Sequence, residues 1–265
     1  MKRVLVALLA ISMAAGVLTG CGSKGSDKTF TVGFDAEFPP YGYRDDNGEY
    51  VGFDLDLAAE VCKRQGWELV KQPIDWDAKD MELDSGAIDC IWNGFTMNGR
   101  EDDYTWSDPY VDNSQVMVVS ENSGINSLSD LAGKTVGVQA ASAALDLLQS
   151  EEEGGQKELA DTFAALQQFP DYNNAFVELQ AGSIDAVAMD IGVAKYQLES
   201  RGEGYKILDE HLNSEKYAIG FKKGNTELCD KVNEGLQQVL ADGTFDKLAE
   251  KYGIADMVCL EKKGE

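Results

Sequence analysis

Residues 82–110 read ELDSGAIDCIWNGFTMNGREDDYTWSDPY, and the fold turns on them. The stretch opens as a short helix that stops at Gly86, because glycine takes the left-handed, helix-ending conformation without a Cβ penalty. An apolar strand over 88–93 follows and breaks into a polar loop holding Asn93, Gly94, Thr96 and Arg100. Further on, residues 178–189, ELQAGSIDAVAM, repeat the pattern Glu-Leu-x-x-Gly-x-Ile-Asp-apolar. The second strand runs out into Asp190. One predicted strand thus ends near an arginine and its counterpart near an aspartate. Ligands of open α/β sheets sit beyond the carboxyl ends of the strands. Two such ends, facing each other, offer a cation and an anion to opposite ends of a zwitterion.

Working outward, residues 29–34 alternate as a strand does and lead into a loop over 35–41 that Pro39 and Pro40 stiffen. A turn over 45–48 closes a hairpin. Leu57, Ala58, Val61 and Cys62 form one stripe of a helix over 54–65 that Gly66 ends. A strand over 69–74 then precedes Asp75-Trp76-Asp77. Beyond residue 110, the apolar strand over 114–120 is expected to cross to a second lobe. Strands over 135–139, 166–169 and 184–189 alternate with helices capped by Ser142 and Asp171 and a helix over 191–200. Residues 217–221 are expected to cross back. Val232, Leu236, Val239 and Leu240 line one face of a helix over 227–241.

This alternation predicts an α/β fold of two lobes. Each is expected to be a mostly parallel sheet flanked by helices, the two joined by a two-strand hinge. Lobe 1 is read as 29–112 with 213–265, and lobe 2 as 113–212.

A chain of 265 residues with 43% hydrophobic content fills the cores of two such lobes. Its net charge of −24 excludes a nucleic-acid partner, which requires basic stripes. Lys2 and Arg3 precede an apolar run over 4–18 that is too short for a membrane span and has the shape of an export signal. The run ends in Leu18-Thr19-Gly20-Cys21, which resembles a bacterial lipobox. That implies a signal peptide over 1–20, a lipidated Cys21, a tether over 21–28 and anchoring to the outer face of the cell membrane.

Four further cysteines allow either two disulfides, with Cys62–Cys90 and Cys229–Cys259 the pairing within compact stretches, or buried thiols. With His211 the only histidine and no close cysteine pair, no metal site is expected.

Together the lipobox, the 33–41 loop, the VGFDLDL of 51–57, the WSDPY of 106–110, the LAGKTVGV of 131–138 and the DGTF of 242–245 resemble the polar amino-acid-binding proteins of ABC importers. The resemblance runs over 29–252. It implies a two-lobed periplasmic-binding-protein fold, capture of a polar or basic amino acid by hinge closure, and delivery to the membrane subunits of a permease, without a cofactor.

By this resemblance Arg100 matches the arginine that pairs with the ligand carboxylate, and Asp190 the aspartate that takes its ammonium. Asn93, Gly94 and Thr96 match the strand-end positions that complete these contacts. Ser142 and Ala143 fall at a helix N-terminus facing the same carboxylate. Phe38 and Trp76 match aromatic walls, Asp35 a reader of the far end of the side chain, and Gln139 a position where some relatives carry a cation. The Thr96-Met97-Asn98-Gly99-Arg100 segment is one residue shorter than the family pattern, so Thr96 and Asn98 compete for the hydroxyl-like role. An enzyme on the same fold is the rival reading, with Glu37 the one carboxylate to nominate. It lacks a histidine or nucleophile partner. A ligand-sensing lipoprotein is a second rival.

Overall fold

A computed structural model describes residues 28–263. The signal segment, Cys21 and the tether as far as residue 27 lie outside the described residues. Lys28, expected to end the tether, opens the first strand.

Two five-stranded sheets carry the molecule. The first is ordered Trp67–Pro73, Lys28–Phe34, Cys90–Ile91, Gly220–Lys222 and Tyr104–Trp106. The second runs Ala165–Phe169, Thr135–Gln139, Ala186–Asp190, Gln115–Ser120 and Tyr205–Ile207. In each, four strands run the same way and one, Gly220–Lys222 or Gln115–Ser120, is reversed, so the sheets are mostly parallel with one antiparallel member that makes them mixed. The cause is the route between the lobes. A parallel neighbour needs a crossover of a dozen or more residues, whereas Gln115–Ser120 and Gly220–Lys222 enter their sheets almost directly from the crossing strands. Those crossings are Val111–Asn113 and Glu215–Tyr217, an antiparallel pair. They lie a few residues before the segments expected from sequence, which instead reach into the sheets.

The repeat seen in sequence is a repeat in structure. Gly86 (φ 77°) and Gly182 (φ 74°) end the Lys79–Ser85 and Tyr172–Ala181 helices, each N–H reaching the paired Glu and Leu carbonyls before it. The Asp89 carboxylate accepts from the Thr31 N–H at 2.7 Å, and that of Asp185 from Thr135 at 2.9 Å. A Cβ on Gly33 would sit 2.4 Å from Ile88, and one on Gly137 would sit 2.6 Å from Ile184. Each half therefore seats its isoleucine on a glycine of its central strand. No other residue leaves that seat empty.

The first sheet is covered by the Phe53–Gln65 and Thr226–Ala241 helices. Their buried stripes, including Leu57, Val61, Val232, Leu236 and Val239, pack on Phe30, Val32 and Phe221. The four cysteines in the described residues are free thiols, which overturns the disulfide pairing. Cys62, Cys90 and Cys229 are packed as small apolar groups in this core. Burial pushes Cys62 up to about 12 and Cys229 to about 11.

Candidate functional site

The two sheets turn their strand ends toward one cleft, which is closed in this structure. Among the described residues, polar contacts away from the crossing strands bridge it. Gln139 Nε2 donates to Asp35 Oδ2 at 2.7 Å, and Asn173 Nδ2 to Glu37 Oε2 at 2.5 Å. Lys79 Nζ reaches the Ala141 carbonyl at 3.4 Å, Arg100 Nη2 pairs with Asp146 at 2.6 Å, and Lys195 with Asp256 at 3.1 Å.

At the floor lies Asp190, the last residue of its strand and 4% exposed. Its Oδ1 accepts from Asn113 Nδ2 at 2.9 Å, Gln115 Nε2 at 2.7 Å and the Tyr217 hydroxyl at 2.5 Å. Its Oδ2 accepts from Tyr172 at 3.2 Å. Burial, and then the neighbouring Glu215 carboxylate, push it up to about 6. Glu215 Oε1 accepts from the same two amides at 2.7 and 2.8 Å and from Thr96 Oγ1 at 2.8 Å.

Arg100 approaches from the other side of Thr96, donating to its carbonyl at 3.3 Å and lying over the Phe95 ring at 5.3 Å. Its side chain is 14% exposed, while that of Asp146, which it holds, is 60% exposed. Asp146 stands in the first turn of the Ala143–Gln149 helix, which Ser142 caps by accepting from the Leu145 N–H at 3.2 Å. An internal carboxylate thus lies on the guanidinium in the way an incoming one would.

Beside Trp76 the cleft opens into a cavity of about 660 Å³. Six carboxylates line it, those of Asp35, Glu37, Asp75, Asp77, Glu82 and Asp171. Asp35 is pushed up to about 6, by burial first and also by Asp171 and Glu37. Lys79 lies against Trp76 at 5.3 Å and is pushed down by its own burial.

The model of bacterial extracellular solute-binding proteins, family 3, matches residues 30–255. The chain belongs to this family. Among relatives of this solute-binding protein, the arginine-binding extracellular protein ArtP of Bacillus subtilis (strain 168) is 31% identical, with 95% of this chain and 98% of ArtP covered. The L-cystine-binding protein TcyJ of Escherichia coli (strain K12) is 27% identical over 97% of each chain. An ABC uptake transporter substrate-binding protein from Streptococcus pneumoniae, solved with bound histidine, superposes with a TM-score of 0.82. It is 34% identical, with 88% of this chain and 95% of that one covered.

The residues expected from sequence fall into three groups in this solute-binding protein. Asp35, Gln139 and Trp76 meet at the acidic cavity, where the Gln139 amide holds Asp35 and the Pro170 carbonyl instead of offering a cation. Thr96, Arg100 and Ala143 border a second cleft with Asp146 and Glu215, and Ser142, just before Ala143, caps its helix. Thr96 rather than Asn98 is tied to the buried network, Asn98 accepting instead from the exposed Lys216 N–H. Asp190, Phe38 and Gly94 meet around a knot of aromatic rings. Phe38 packs at 5.9 Å on both Tyr41 and Tyr172, while Trp76 packs on Phe95 at 5.6 Å. The two expected walls therefore belong to different clusters in the closed cleft. Gly94, at φ 56°, leaves no room for a Cβ, which would lie 2.9 Å from both Phe38 and Tyr217. Its N–H donates to Asp54 at 2.5 Å. Asn93 is buried with both side-chain polar atoms unpartnered.

Sequence reading missed Glu215, Asn113, Gln115, Tyr172 and Asp146. A usable signal existed for the first. Alternation along Glu215-Lys216-Tyr217 puts the glutamate on the face of a buried tyrosine.

Proposed function

We propose that this solute-binding protein captures a basic amino acid for an ABC importer. Arg100 takes the ligand carboxylate, Asp190 its ammonium, and the acidic cavity its cationic side chain. Gly94 adjoins the ammonium end beside Asp190, Thr96, Ser142 and Ala143 shape the carboxylate end, Phe38 and Trp76 flank the side chain, and Asn93, at the strand end before Gly94, completes the set. The observation that carries the side-chain reading is the set of six carboxylates around one cavity beside Trp76. A guanidinium or ammonium entering there neutralises charge that the protein leaves crowded, and an aromatic face adds cation–π attraction. Relatives named for arginine and histidine support it. The far end of cystine, named for TcyJ, carries a carboxylate beside its second ammonium and so brings no net positive charge into the acidic space, which disfavours it against a basic side chain.

Thermal shift measurements against arginine, lysine, ornithine, histidine, cystine, glutamine and glutamate test this. The basic ligands are expected to raise the melting temperature by mass action and glutamate to leave it unchanged. The largest shift coming from glutamate or cystine rejects the proposal.

In this reading the ligand carboxylate displaces Asp146 from Arg100. Asp146→Asn is then expected to tighten binding by up to about fivefold, the size of an exposed ion pair of up to ~1 kcal/mol. Weaker binding in titration calorimetry would instead make Asp146 part of the ligand's own shell.

The lobes divide at 112/113 and 212/213 in this proposal. Export, lipidation at Cys21 and docking to permease membrane subunits complete it. Mass spectrometry of membrane-extracted protein should find the chain starting at a diacylated Cys21, and a soluble chain with a different first residue speaks against the anchor.

A further inference from the structure

The two buried carboxylates at the cleft floor lack a cation. Among the described residues no lysine, arginine or histidine lies within ion-pair distance of Asp190 or Glu215. Both are at most 4% exposed. They share two amide donors, since Asn113 Nδ2 reaches Asp190 Oδ1 at 2.9 Å and Glu215 Oε1 at 2.7 Å, while Gln115 Nε2 reaches them at 2.7 and 2.8 Å. Two negative charges so close and so dry are not both sustained without a compensating positive one.

We infer that Glu215, from a crossing strand, is a second carboxylate of the ammonium site, and that in mildly acid solution the pair holds one proton which the ligand's ammonium replaces. This rests on the amino-acid reading above. On binding, the carboxyl O–H bond breaks, the proton leaves to solvent, and the ammonium N–H groups donate in its place. Charge in the floor is then conserved.

The groups facing the pair leave this balance to the ligand. Tyr41, Tyr172 and Tyr217 are pushed far above their ordinary range by burial and stay neutral. Asp54 and Asp256 act on Tyr41 from farther away and add negative charge. Arg100 lies beyond Thr96 and turns to Asp146, and His211 is engaged with Ser114 Oγ at 2.9 Å. Asn213 Nδ2 donates to Glu215 Oε2 at 2.8 Å while its Oδ1 accepts from the Gln115 N–H at 2.8 Å, so a glutamine at 215 keeps the three bonds to Oε1 and gives up only the one to Asn213.

The experiment is titration calorimetry of arginine on the full chain and on Glu215→Gln and Glu215→Asp, at pH 5.5 and 7.5, in buffers of different ionisation heat. Glu215→Gln is expected to weaken binding at pH 7.5 by tenfold or more, with the aspartate variant retaining more affinity. The ligand-free melting temperature of Glu215→Gln should be unchanged or higher, because a buried charge has gone. At pH 5.5 the unaltered chain should release more protons per arginine than Glu215→Gln does. Asp35 is present in both chains, so the difference isolates the pair. Affinity within twofold of the unaltered chain, or equal proton counts, overturns the inference and leaves the amino-acid reading standing. If neither arginine nor any other panel member binds the unaltered chain, that reading fails and takes this inference with it.

Discussion

Replacing Arg100 with alanine is expected to weaken amino-acid binding by about 3–5 kcal/mol, on the order of a hundred- to several-thousandfold in Kd. The size follows from what is left behind. A carboxylate closed into the cleft without its guanidinium retains the penalty of leaving water and loses the attraction that offset it. Arg100→Lys should recover only part of the loss, since a point charge cannot copy the planar two-pronged contact. The variant should still fold, because the residue contributes to the ligand-free protein only a pair with the exposed Asp146, a backbone contact at Thr96 and its place over Phe95. Titration calorimetry is the check, and a loss below tenfold would remove Arg100 from the carboxylate contact.

The second large effect is on stability against pH. Asp54 is fully buried, bonded through Oδ2 to the Gly94 N–H and the Tyr110 hydroxyl, with Oδ1 unpartnered. Burial pushes it up to about 7. Asp35 and Asp190 are pushed up to about 6. All three bind protons in the folded chain at pH values where the unfolded chain has released them, so stability falls as pH rises. Their contribution is complete below about pH 4 and is lost as pH climbs through 6 and 7. At ~1.4 kcal/mol for each tenfold change in proton affinity, the three sum to at most about 10 kcal/mol. Relaxation and water entry around the ionised groups bring this to on the order of 5 kcal/mol. Carboxylates of the opposite kind act only at lower pH, as with Asp242, which Thr244 and Arg64 hold down at about 2. Urea unfolding of the ligand-free chain should therefore give its highest midpoint near pH 4–5 and a steady fall toward pH 8. A midpoint that rises from pH 5 to 8 contradicts the burial of these groups. Asp54→Asn should flatten the slope most.

The architecture is legible in the sequence because its determinants are local. Glycines ending helices, alternation in strands and the Val232, Leu236 and Val239 stripe each act over a few residues. The internal echo by itself marks both halves. What escapes such reading is the pairing of distant segments. The antiparallel strands follow from where the crossing strands enter the sheets, which no short window records. Asp146 and Arg100 meet across the lobes, 46 residues apart in sequence. Gln115 is hidden inside the 114–120 segment that reads only as an apolar crossing, and Asn113 lies just before it, although their amides set the floor of the cleft. The disulfide pairing fails for a related reason. Spacing places the cysteines in common stretches, but only the packed core shows Cys62, Cys90 and Cys229 as thiols among apolar side chains.

The matched seats of Ile88 on Gly33 and Ile184 on Gly137 have a practical use. The same joint occurs twice in one molecule, in two sheets with different roles. Trimming either isoleucine to valine asks one question in two places, so each half can serve as the internal control for its twin. Any difference between the two answers then reports on what surrounds the joint and not on the joint.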